Sequence, residues 1–142
     1  MRRWHFYVMG LLATVWGLVG AAEYLLVSLG LEAAWLEAYR PEQLRWLAAI
    51  PAWVHGVWGA QATLALVGAL CLLAQLRASV WMLGLSFVLF VVLAIWAHVA
   101  AAPPIWAVAD PAWSAAVTLL LVVLTALFWL YARGEKRRGE IL

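Results

Sequence analysis

Residues 80–101 read VWMLGLSFVLFVVLAIWAHVAA, a run without a single Asp, Glu, Lys or Arg. The hydrocarbon core of a bilayer is about 30 Å thick, so a helix needs about 20 mostly apolar residues to cross it. Three further runs meet the same requirement, at about residues 5–29, 52–76 and 112–132. None alternates apolar and polar positions as a barrel strand does, and Leu, Ala and Trp dominate all of them. The expectation is an all-α membrane protein: a four-helix antiparallel transmembrane bundle, one domain over residues 1–142, with a tail at 133–142.

Composition says the same. Of 142 residues, 68% are hydrophobic and 11% charged, against about 45–50% and about 25% in a soluble domain. A water-soluble fold could not cover that much apolar surface, which excludes a soluble enzyme and a disordered tail. The single cysteine, Cys71, sits in an apolar run, so there is no disulfide framework and no paired-thiol redox chemistry. No set of catalytic residues is legible, and a non-enzymatic role is the expectation.

Positive charge sets orientation. Arg2, Arg3, Arg77, Arg133, Lys136, Arg137 and Arg138 flank one side of the spans, whereas only Arg40 and Arg45 flank the other. This predicts both termini in the cytoplasm, with Glu32, Glu37, Glu42 and Asp110 on the outer side. Arg2-Arg3 followed by an apolar stretch and Gly20-Ala21-Ala22 imitates a secretory signal. The run continues to Leu29, however, which predicts an uncleaved first span.

The loops differ in character. Arg77-Ala78-Ser79 reads as a tight hairpin. Residues 30–51 are too long and too apolar for a plain connection. Leu31, Trp35 and Ala38 recur at helical spacing, Pro41 can open a second turn, and Leu44, Leu47 and Ile50 share a side. This predicts a bent amphipathic segment on the outer face, anchored by Trp35, Tyr39 and Trp46, either as a surface belt or as a lid. Pro103-Pro104 and Asp110-Pro111 interrupt the third loop. Asp110 suits the N-cap of the last helix, with Pro111 at its first position.

Three ionisable residues fall at one level of the membrane: Glu23 late in the first span, His55 early in the second and His98 late in the third. A carboxyl inside a span is costly unless it meets a partner, a cavity or water. Its plainer reading is a headgroup-level acid paired with Arg40 or Arg45, and each histidine alone is more often an interfacial side chain bonded to a carbonyl. Together, Glu23, His55 and His98 are candidates for proton relay or for binding a cationic solute. They would equally suit a divalent metal such as zinc, or haem b held axially between His55 and His98. Trp16, Trp58, Trp96, Gln61, Asp110 and Thr118 are candidate supporting residues. Deep tryptophans next to an acid suit an organic cation, and Thr118 belongs, with Ser114 and Thr125, to a polar face of the fourth helix. The remaining tryptophans fit interfacial belts. The basic tail lacks the extent and aromatic interleaving of a nucleic-acid site, so lipid is the expected partner there.

Glu23-Tyr24 in the first span, Pro41-Glu42-Gln43 in the first loop, then Pro51-Ala52-Trp53 and Trp58-Gly59, form an order that resembles a family of small four-span bacterial inner-membrane proteins carried under a sugar-transporter label. The resemblance covers most of the first 60 residues. It implies a bacterial inner-membrane location and transport. The functional expectation is a small integral membrane protein that binds or moves a small solute or proton through an outer-facing site. Four helices rarely enclose a full path, so a homo-oligomer or larger membrane complex is expected. A haem b electron-transfer subunit and an accessory scaffold subunit are the alternatives.

Overall fold

A computed structural model describes residues 3–31 and 33–139. Arg2, Glu32 and the last positions of the tail, which entered the readings above, lie outside the described residues. In chain order the helices are α1 (Arg3–Ser28), α2 (Pro41–Ala48), α3 (Ala52–Leu73), α4 (Ala78–Ile95), α5 (Ile105–Val108) and α6 (Pro111–Arg137). A 3₁₀ turn at Ala34–Ala38 precedes α2, and a π-helical turn at Trp96–Ala100 prolongs α4. Among the described residues there is no strand. Four helices are long and apolar enough to cross a membrane: α1, α3, α4 with its π turn, and α6. The expected helical bundle is the fold, and the four predicted runs lie on those helices.

The helix ends depart from hydropathy for local reasons. α3 stops at Leu73, short of residue 76, because Gln75 adopts a left-handed φ of 61°. There the amides of Gln75 and Leu76 donate to the carbonyls of Leu72 (3.0 Å) and Cys71 (2.9 Å), closing the helix. The hairpin therefore occupies residues 74–77, and Ala78 and Ser79 belong to α4, not to the turn as expected. Gly30 (φ +69°) ends α1 in the same way, its amide on Val27 and that of Leu31 on Leu26. α6 runs to Arg137, beyond the expected end at 132. Apolarity marks the lipid zone and not the helix, and Lys136 and Arg137 favour a helix C-terminus electrostatically. At its start, Asp110 accepts from the Trp113 amide at 3.0 Å and Pro111 takes the first position, as the sequence predicts.

Packing follows a seven-residue beat. A side chain at Gly10 would meet Leu73, one at Gly17 would meet the backbone of Leu66, and Gly59 faces the Tyr24 hydroxyl. Positions 10, 17 and 24 of α1 thus lie against 73, 66 and 59 of α3, an antiparallel pair with heptad spacing and small residues at the seam. α3 is tied to α4 by polar side chains: Gln61 donates to Ser86 Oγ, and that hydroxyl donates to the Gln61 carbonyl, both at 3.2 Å. Trp129 of α6 lies over Gly84 and stacks on Phe87 of α4, centroids 5.8 Å apart.

α1 and α6 close the bundle at one end only. Where α1 begins and α6 ends, Phe6, Leu72, Leu83 and Ala132 form one buried cluster, and His5 Nδ1 shares a 2.7 Å hydrogen bond with the Tyr131 hydroxyl. Ala13, Ala69 and Phe128 make a second cluster. Beyond that level the helices leave space. Outside, large apolar side chains such as Leu11, Leu18, Leu85, Val92, Leu119 and Leu127 are exposed, as lipid contact requires.

Candidate functional site

At the open end the four long helices enclose a cavity of about 660 Å³. Glu23 of α1, Trp58 of α3, Phe90 of α4 and Thr118 and Leu121 of α6 line it. The loop after α1 covers it: Pro41 starts α2, and Gln43, Trp46 and Leu47 form part of the wall. The predicted amphipathic segment is thus present and forms part of the cavity wall. Leu36, 1% exposed, seats the 3₁₀ turn, and the Trp46 indole donates to the Pro103 carbonyl at 2.6 Å, fastening α2 to the third loop. Trp46 and Trp53 also pack on Trp96, centroids 5.5 and 6.1 Å away.

A second cavity, about 280 Å³, lies deeper along α1. Trp16, Gly17, Val19, Gly20 and Gln61 belong to it alone, while Glu23, Tyr39, Trp58, Phe90 and Leu121 border both. Glu23 therefore stands where the two chambers meet.

Its carboxyl has one protein partner among the described residues: the Tyr39 hydroxyl donates to Oε1 at 2.9 Å. Burial pushes the Tyr39 phenol well above its ordinary range, and the adjacent Glu23 carboxyl adds to the shift, so the hydroxyl stays a donor. The expected alternative, pairing of Glu23 with Arg40 or Arg45, is not formed. Arg45 lies 3.9 Å from Glu42 at the exposed surface, and Arg40 lines the larger cavity without an ion pair among the described residues.

The other candidates divide. His98, Trp96, Asp110 and Thr118 line the larger cavity, Trp16 and Gln61 the smaller one, and Trp58 both. His55 lines neither. Its Nε2 lies 3.2 Å from Ser28 Oγ, and its ring packs against Tyr24 and Trp58, centroids 4.9 and 6.2 Å away. It belongs to the α1–α3 seam. His98 sits in the π turn, a distortion found often at functional sites. Its Nδ1 lies 2.9 Å from the Ala94 carbonyl, which can only accept, so that nitrogen carries the proton. In the neutral ring Nε2 is then the acceptor, and it is buried with no partner among the described residues. That tautomer suits a metal-ligating histidine, yet among the described residues no three His, Cys, Asp or Glu side chains are grouped to hold a metal ion. His55 has its own partners and lies outside both cavities.

Tyr39, Arg40, Gln43 and Phe90 were not singled out in the sequence as site residues. Tyr39 is legible there only as an interfacial anchor and Arg40 only as a headgroup-level partner for Glu23, while Gln43 and Phe90 carry no site signal. Comparison with protein-family models, curated proteins and solved structures finds no match.

Proposed function

We propose that this small integral membrane protein binds a small solute in the cavity beside Glu23. The observation that carries the reading is the Glu23 carboxyl at the junction of two chambers with Tyr39 as its one donor among the described residues. A carboxyl inside a membrane-spanning helix is costly to keep and marks a site when it faces a cavity. The volume falls within the range of small-molecule sites, and aromatic walls with a few convergent polar groups are their usual lining. A bacterial inner-membrane setting with cytoplasmic termini rests on the charge bias and on the sequence resemblance. Movement of the solute across the bilayer would need further copies or a partner, since the packed clusters around Phe6 and Phe128 obstruct the closed end.

The test is thermal unfolding of the purified protein, wild type and Glu23→Gln, against panels of small amines, sugars and carboxylates. A ligand at a hundredfold its Kd adds about 2.7 kcal/mol of stability. The expected result is a shift by one chemical class in the wild type and none in Glu23→Gln. A folded Glu23→Gln that responds as the wild type does would remove Glu23 from the site and favour the scaffold reading.

A further inference from the structure

The smaller cavity reaches the bundle surface at Val19 and Trp35, both exposed. Val19 lies nine residues before the end of α1 at Ser28, about 13 Å deeper along the helix axis. That depth is inside the hydrocarbon zone of a bilayer about 30 Å thick, so once the helices span a membrane the rim at Val19 faces acyl chains. Its inner wall is Trp16, Gly17, Gly20, Ala62, Ala65 and Leu121, with Gln61 already engaged by Ser86. The chamber above adds Arg40, Gln43, His98 and Asp110 to its lining, and at the junction Glu23 offers a second carboxyl oxygen and Trp58 an aromatic face.

We infer that the ligand is an amphiphile with a hydrogen-bond-donating, amine-type head and an apolar chain, received sideways from the lipid. The inference rests on the solute-site reading above and specifies its ligand. The head bonds Glu23 and lies against Trp58, where a cation gains from the ring quadrupole. The chain fills the lower chamber beside Gly20. Gly20 is the position that lets it in: it lines the chamber and a Cβ built there meets nothing within 4 Å, so a side chain at this position starts in open space.

The experiment is a tryptophan-fluorescence titration in phosphatidylcholine nanodiscs with dodecylamine and with butylamine, which share a head and differ in tail. Gly20→Leu is expected to weaken dodecylamine by more than about tenfold and to leave butylamine within about twofold, while Glu23→Gln weakens both. Because amine partitioning into lipid is common to all the proteins, the variant-to-wild-type ratio is the readout. If Gly20→Leu leaves dodecylamine unchanged, or weakens both amines alike, while Glu23→Gln still weakens both, the tail chamber is wrong and the Glu23 site stands. If the wild type binds neither amine, the amine-headed amphiphile is overturned. If both amines bind and neither variant alters them, the Glu23 site fails with it.

Discussion

A carboxyl in an apolar surround is held by whatever donor reaches it, and for Glu23 that donor is a hydroxyl from outside the helix. Hydrogen bonds to a charged partner contribute about 1.5–3 kcal/mol and neutral ones about 0.5–1.5 kcal/mol. Tyr39→Phe keeps the ring and removes the donor, so a loss of about 1–2 kcal/mol in unfolding free energy is expected. Tyr39→Phe combined with Glu23→Leu should cost less than the two separate losses added, because both delete one contact; strict additivity in that cycle would mean that the bond is not made. Gln75 presents the opposite case, a local conformation at odds with its residue. Its φ of 61° costs a non-glycine residue about 1–2 kcal/mol. Gln75→Gly is expected to raise stability by about 1 kcal/mol after the added freedom of the unfolded chain is deducted, read as a higher unfolding midpoint.

Among elements, the α1–α3 pair shows what hydropathy hides. The spans were legible because length and apolarity decide membrane crossing, and Asp110-Pro111 was legible because capping is local chemistry. The seam at positions 10, 17 and 24 was not, since a helix apolar on every side carries no polar face to mark which side is buried. Only the small residues hint at it. Gly17→Val would place a carbon 2.7 Å from the Leu66 Cα, backbone that cannot yield without moving a helix. A loss of about 1–3 kcal/mol is expected from such overpacking, whereas Gly20→Ala, with open space, should be neutral or gain up to about 1 kcal/mol. The candidate site was partly legible for a related reason. Glu23 announces itself by its cost, but Tyr39 and the π turn at His98 depend on how the loops fold back, which no periodicity records. The placement of α2 depends on one such contact. Trp46→Phe keeps an aromatic ring for Trp96 and deletes the donor to Pro103. Faster hydrogen exchange at residues 41–50, with unchanged protection in α3 and α4, is the expected outcome.

Across the whole molecule, stability and ligand chemistry are separated by depth. One end is filled by Phe6, Leu72, Leu83 and Ala132, with Phe128 beneath them. The other has space where a filled core would bury side chains. Truncating a fully buried Leu removes its packing and leaves a hole, typically at a cost of about 2–5 kcal/mol. Leu72, with no exposed surface, should sit within that range on substitution by Ala. Phe90 borders both chambers, so part of its ring already lacks close neighbours. Phe90→Ala is therefore expected to cost less than Leu72→Ala, although Phe is the larger residue and ordinarily the costlier loss. The pair is compared by reversible unfolding in mixed micelles under one set of conditions. If Phe90→Ala proves the more damaging, the open end contributes to the fold as a core does, and the chambers beside Glu23 would have to be closed in the folded protein. If Leu72→Ala dominates, the packed end alone holds the helices, leaving the far end free to keep a carboxyl, a π turn and a covered cavity that a tighter bundle would exclude.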